Sequence, residues 1–232
     1  MVLEVRLFAI LRERAGAGSL SVELPDEGAT VRDALLALGR QSEPLASALE
    51  RMPVVMAVNR EYADSGDALA PGDELALIPP LSGGDDPPPT PGRLASRARV
   101  RVRGDELSAD ALSRSVATDH TGAIVTFQGL TRDVEKLEYE AYVPMAEARM
   151  LAILEETLER HEIERIAAEH RIGAVPLGEP SVVVAVAAAH REGAFGAARE
   201  AIDRIKAEAP IWKREVDGGR AEWVDGTPPP RG

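Results

Sequence analysis

An α+β fold in two domains is what the 232 residues predict, on three observations. The stretch Gly83-Gly84-Asp85-Asp86-Pro87-Pro88-Pro89-Thr90-Pro91-Gly92 is too rich in proline for helix or ladder hydrogen bonds to run through it. On both sides of it, apolar and polar residues alternate with the two-residue period of half-buried strands. Both sides also carry segments whose apolar residues recur at three- and four-residue steps, the period of a helix lying on a core. The chain thus divides into an N-terminal domain over 1–84, a linker over 85–95 and a C-terminal domain over 96–232.

In the first domain, Leu3, Val5 and Leu7 alternate with Glu4 and Arg6, and Leu20, Val22 and Leu24 with Ser21 and Glu23. These predict two strands, paired as a hairpin across Gly16-Ala17-Gly18. Thr30 is a good N-cap for a helix from Val31 to Leu38, with Gly39 as its stop. Val54 to Val58 reads as a strand, and Pro71-Gly72-Asp73 as the turn before a last strand, Glu74 to Ile78. In the second domain, strands are expected at Val100–Arg103, Ala123–Phe127, Leu137–Tyr142, Ile163–Ala168, Val182–Ala188, Ile211–Val216 and Ala221–Val224. Ser108 should cap a short helix. Met150, Leu151, Leu154 and Leu158 form one stripe of a helix from Ala146 to Arg160. Phe195, Ala198, Ile202, Ile205 and Ala209 form another, stopped by Pro210.

Composition removes several functions. A net charge of -12 argues against a general nucleic-acid binder, which needs a broad basic surface. The absence of cysteine excludes disulfides, thiolate metal sites and a cysteine nucleophile. No apolar run approaches the ~18 residues of a membrane span, and Met1 to Ile10 lacks the apolar centre of a signal peptide. A cytoplasmic protein without a membrane partner is expected. All of the 27 basic residues except Lys136, Lys206 and Lys213 are arginine. Arginine replaces lysine well on a solvated surface, but not where an amine must give up its proton.

Lys206 lies one position past Ile205, at the edge of the apolar helix stripe, and Lys213 follows the proline-stopped helix end. Strand alternation puts Trp212 and Lys213 on opposite faces. An amine beside a pocket and near other cations can serve as acid, base or nucleophile. His190-Arg191 ends an apolar strand where a helix begins, a position where a guanidinium and helix amides can hold an oxyanion, or where the pair merely caps the helix. His120, His161 and His170 show no metal-ligand spacing and read as ordinary. Ser82-Gly83-Gly84 follows the last strand of the first domain, and two residues without a Cβ can thread a narrow channel.

Val58-Asn59, Leu69 through Pro80 and Ser82-Gly83-Gly84 together resemble the small sulfur-carrier subunit of molybdopterin synthase. Gly122–Phe127, Leu137–Tyr142 with Met145-Ala146, His170–Gly173, Ala189–Arg191 with Ala194-Phe195, and Lys206 with Ala209–Glu215 resemble the large catalytic subunit of that enzyme. The resemblance implies a ubiquitin-like β-grasp fold for the first domain and an α+β hammerhead-like fold for the second. It implies that Gly84 carries sulfur as a thiocarboxylate after an adenylating enzyme activates it. The acceptor would be cyclic pyranopterin monophosphate, the product the dithiolene of molybdopterin, and no resident cofactor or metal would be needed. Lys206 and Lys213 match the family's active-site lysines, and Arg132 a substrate-binding arginine. His190 and Arg191 would act on a neighbouring subunit across a homodimer interface. Two departures stand out. The loop after Arg132 is several residues shorter than the family's, and Lys136 is either a substitute cation or an exposed residue. Gly84 is joined to Asp85, so a carboxylate there requires a protease to cut after Gly84. Without that cut, the first domain is a fixed interaction module, or the second takes sulfur from a separate carrier.

Overall fold

A computed structural model describes residues 1–80 and 97–224. The N-terminal domain is one five-stranded sheet with helices on one face. Its elements are β1 (Val2–Leu7), α1 (Ala9–Ala15), β2 (Ser19–Glu23), α2 (Val31–Gln41), α3 (Glu43–Arg51), β3 (Val55–Val58), β4 (Glu61–Ala63) and β5 (Glu74–Ile78). The strand order is β2-β1-β5-β3-β4. β1 and β5 run parallel at the centre, and the other pairs are antiparallel. This is the β-grasp arrangement. Alternation gives the sheet two apolar faces: Leu3, Val5, Leu7, Leu75 and Leu77 pack under the helices, whereas Val55, Ala57, Ala76 and Ile78 face the second domain.

Three local expectations are corrected. β1 and β2 do pair, but seven residues of helix fill what was read as a hairpin turn. α1 has no side-chain cap and no acidic residue in its first turn, so its start carries no sequence signal; Gly16, at φ 70°, ends it. Gly39 does not stop α2, which runs to Gln41; a Cβ there would sit 3.5 Å from that of Ala46 on α3. α3 itself was not read, although Ser42 caps it and Pro44 sits in its first turn.

The C-terminal domain adds β6 (Ala98–Arg103), α4 (Ala109–Val116), β7 (Ala123–Leu130), β8 (Lys136–Ala141), α5 (Val143–Arg160), β9 (Arg165–Arg171), β10 (Gly173–Pro176), β11 (Pro180–Ala188), α6 (Arg191–Glu208), β12 (Ile211–Asp217) and β13 (Arg220–Trp223). One sheet has the order β6-β9-β11-β7 and the other β10-β8-β12-β13. β11 is buried on both faces, which explains its unbroken apolar sequence. Val182, Val184, Val186 and Ala188 pack against α5 and α6; Val183, Ala185 and Ala187 pack against α4. The strand expected at Ile163–Ala168 is shifted to Arg165–Arg171, and β10 was not anticipated. Among the described residues no helix is long and apolar enough to cross a membrane.

The two domains share a third core. Phe8 lies between Tyr142 and Trp212, with ring centroids 5.0 and 5.2 Å away. Ala57, Ala76, Ile78 and Met145 close around the three rings. Polar bonds surround this patch. Tyr142 donates to Glu74, Arg12 and the Ala9 amide reach Glu140 at 2.8 and 3.3 Å, and Arg214 reaches Glu13 at 2.8 Å.

Candidate active site

A cavity of about 480 Å³ lies where the two sheets of the C-terminal domain meet the end of α6. β8 contributes Leu137 and Tyr139, and β12 contributes Ile211, Lys213 and Glu215. The opposite wall is Gly129 of β7, His170 of β9 and Ser181 and Val182 of β11; Ile205, Lys206 and Ala209 come from the last turn of α6 and its end. The loop Arg132-Asp133-Val134 forms part of the rim.

Both sequence-predicted lysines line this cavity. Lys206 holds its Nζ 5.5 Å from the centroid of the Phe127 ring, whose negative face attracts the ammonium. Lys213 is half-buried and pairs across the sheet with Tyr139. The alternation read from the sequence holds on β12. Ile211, Lys213 and Glu215 face the cavity. Trp212 and Arg214 face the first domain. Trp212 Nε1 donates to the carbonyl of Pro79 at 3.1 Å, which fixes the chain leaving β5 beside the strand that carries Lys213.

The other predicted residues divide. Arg132 is at the rim with its side chain 88% exposed, 3.6 Å from Asp133. Lys136 is not a substitute cation for the cavity. Alternation turns it to the face of β8 away from Leu137 and Tyr139, where it binds Glu138 at 2.7 Å. His190 and Arg191 are exposed at the N-terminus of α6. The length of that helix separates them from Lys206 by about 22 Å, at 1.5 Å per residue, so one chain does not bring them into the same cavity. Gly84, the linker 85–95 and the bond between Gly84 and Asp85 lie outside the described residues.

Sequence reasoning passed over His170, which is buried and borders the cavity. Its Nδ1 is 2.9 Å from the Arg171 carbonyl, and Tyr139 meets its ring edge-on at 5.0 Å. Burial holds its pKa down to about 4, and nearby Lys206 pushes the same way. Tyr139 donates to Ser181 at 3.0 Å, and burial raises its phenol pKa. The available signal was parity. His170 shares its face of β9 with Ile166 and Ala168, so a polar ring was inserted into a core-facing series. Away from the cavity, His161 is bound to Glu200 at 2.8 Å. It belongs to a network in which buried Arg149 meets buried Glu208, and Arg204 reaches Glu156 and Glu208 at 2.7 Å.

The family described as MoaE protein matches residues 102–208, and the ThiS family matches residues 5–84. A rice protein named molybdopterin synthase catalytic subunit is 49% identical over 110 residues, covering 45% of this chain. The chain spans only 57% of that relative's length. A human protein of the same name is 38% identical over 134 residues, covering 55% of this chain and 71% of its own length. The crystal structure of molybdopterin synthase from Staphylococcus aureus matches 53% of this chain and 95% of its own, at 32% identity and a TM-score of 0.52.

Proposed function

Because this chain belongs to the molybdopterin synthase family, we propose that it makes the dithiolene of molybdopterin by sulfur transfer between its own two domains. The chain is cut after Gly84, an activating enzyme converts the new carboxylate to a thiocarboxylate, and the sulfur passes to cyclic pyranopterin monophosphate in the cavity in net exchange for an oxygen, which leaves Gly84 a carboxylate again. Two sulfurs are needed, one per loaded carrier tail. Lys206 and Lys213 hold the substrate's anionic group and move protons during transfer, tasks for which an ammonium close to a partly apolar wall is suited. Arg132 adds positive charge at the rim. His190 and Arg191 act on the cavity of a second copy in a homodimer. Sulfur rides on Gly84, so the chain needs no cysteine and no resident cofactor.

One observation carries this reading. Trp212 binds Pro79 on one face of β12 while Lys213 lines the cavity on the other. Gly84 is four positions beyond Pro80, a reach of at most about 14 Å. The last described residues of the first domain therefore bind the strand that carries Lys213, which supports a short path from Gly84 to the cavity. The test is intact mass spectrometry of the protein from its native host. A fragment ending at Gly84, partly shifted by one oxygen-to-sulfur exchange, is expected. Recovery of only the unmodified full-length chain refutes the self-supplied carrier. The covalent Gly84–Asp85 bond favours the second reading, in which the first domain is a fixed module and sulfur comes from a separate carrier.

A further inference from the structure

Lys206 and Lys213 bring positive charge to the cavity, but one part of its wall has a different character, set by three buried or half-buried polar groups. The Gly129 carbonyl can only accept, so the Ser181 hydroxyl, 3.1 Å away, donates to it. Ser181 Oγ then accepts from the Tyr139 hydroxyl at 3.0 Å. Both hydroxyl protons are thereby consumed inside the wall. His170 follows the same logic. The Arg171 carbonyl 2.9 Å from Nδ1 is an acceptor, so Nδ1 carries the ring proton. Nε2 is left as a lone pair, with no hydrogen-bond partner among the described residues. The ring cannot swing away, because Tyr139 packs edge-on against it and the residue is only 7% exposed.

We infer that His170 is a specificity-determining residue that touches the substrate, its neutral Nε2 accepting a hydrogen bond from an N–H or O–H on the ring portion of the molecule whose anionic end sits at Lys206 and Lys213. This rests on the functional reading above. Among the described residues, the hydroxyl protons of this wall are already donated and His170 offers an acceptor, so the wall selects for a donor-bearing heterocycle and leaves a flat acceptor-only ring unpaired there. Burial keeps the imidazole neutral through the physiological range, and Lys206 opposes a second positive charge beside it.

The test uses the full chain and cyclic pyranopterin monophosphate, with inorganic phosphate as a probe that carries the anion without the ring. His170→Phe keeps most of the ring volume and removes the acceptor; it should weaken binding of the pterin about tenfold and leave phosphate binding unchanged. His170→Gln, whose amide oxygen restores an acceptor, should recover most of the loss. Nitrogen-15 NMR of histidine-labelled wild type provides an independent readout should a variant not fold. Nδ1 should appear protonated and Nε2 unprotonated in the free protein, and saturating pterin should move Nε2 toward the protonated range. Equal pterin binding by wild type and His170→Phe overturns the inference and leaves the functional reading standing, as does an Nε2 signal that ignores bound pterin. Failure of the wild type to bind the pterin at all overturns both.

Discussion

Phe8→Ala should release the first domain from the second without unfolding either. Phe8 is 5% exposed and lies on the sheet face opposite the helices, stacked on Tyr142 and Trp212 and outside the core that packs under the helices. Removing a buried phenylalanine costs ~3–5 kcal/mol, a sum that includes the two ring contacts at 5.0 and 5.2 Å. At the lower bound, the docked-to-undocked ratio falls on the order of a hundredfold. The Trp212 indole proton reports this opening, because its partner is the Pro79 carbonyl across the interface. Its hydrogen exchange should accelerate by about the same hundredfold, while amides of Leu75 and Val184, each inside one domain's core, keep their wild-type protection. Unchanged indole exchange refutes the reasoning. So does acceleration in step with Leu75, which would mean that Phe8 stabilises its own domain and not the docking.

Lys206→Arg and Lys213→Arg keep the charge but not an amine that can exchange a proton, so each should retain phosphate binding by calorimetry and lose ~10²-fold or more in turnover. Arg149→Ala leaves Glu208, at 2% exposure, with Arg204 as its remaining partner, and should lower stability by ~1–3 kcal/mol in urea unfolding; replacing both residues by Met should recover most of that loss. His170 has a folded pKa depressed to about 4, so the folded state binds fewer protons than the unfolded state. Stability should be full above about pH 6.5 and fall as pH drops toward 4, by roughly 3 kcal/mol; His170→Phe should flatten that limb of the pH–stability curve.

The parts of the fold that sequence showed well were those where one periodicity ruled. β11 and the stripes of α5 and α6 are buried by patterns running over many residues, except that Phe195, expected on the α6 stripe, is 62% exposed, and the ends of these elements moved by only a few positions. α1 was invisible because seven residues with no cap and mixed charge make no pattern. Gly39 misled because glycine ends helices often, yet here it sits inside α2, which runs on to Gln41. At the site, the lysines stood out because an arginine-rich chain kept amines there. His170 did not, since a single histidine in a strand gives no spacing to read, and only the fold brings Tyr139 and Ser181 beside it.

What joins the two halves of the chain is one strand. On β12, Trp212 sits in the interdomain core and binds the Pro79 carbonyl of the first domain, while its neighbours Ile211 and Lys213 form the cavity wall. Any shift of the docked domain that pulls on Trp212 is transmitted to Lys213 through a single peptide bond, and β8 backs both residues, with Glu140 opposite Trp212 and Tyr139 opposite Lys213. The same alternation repeats there: Glu140 binds the first domain and Tyr139 faces the cavity. Docking of the carrier and alignment of the lysine are thus two faces of one sheet. A carrier bound loosely at this face would also present its tail to a less well-set cavity. That ties carrier affinity to turnover, and predicts that Phe8→Ala lowers the turnover rate of loaded protein as well as the docked fraction.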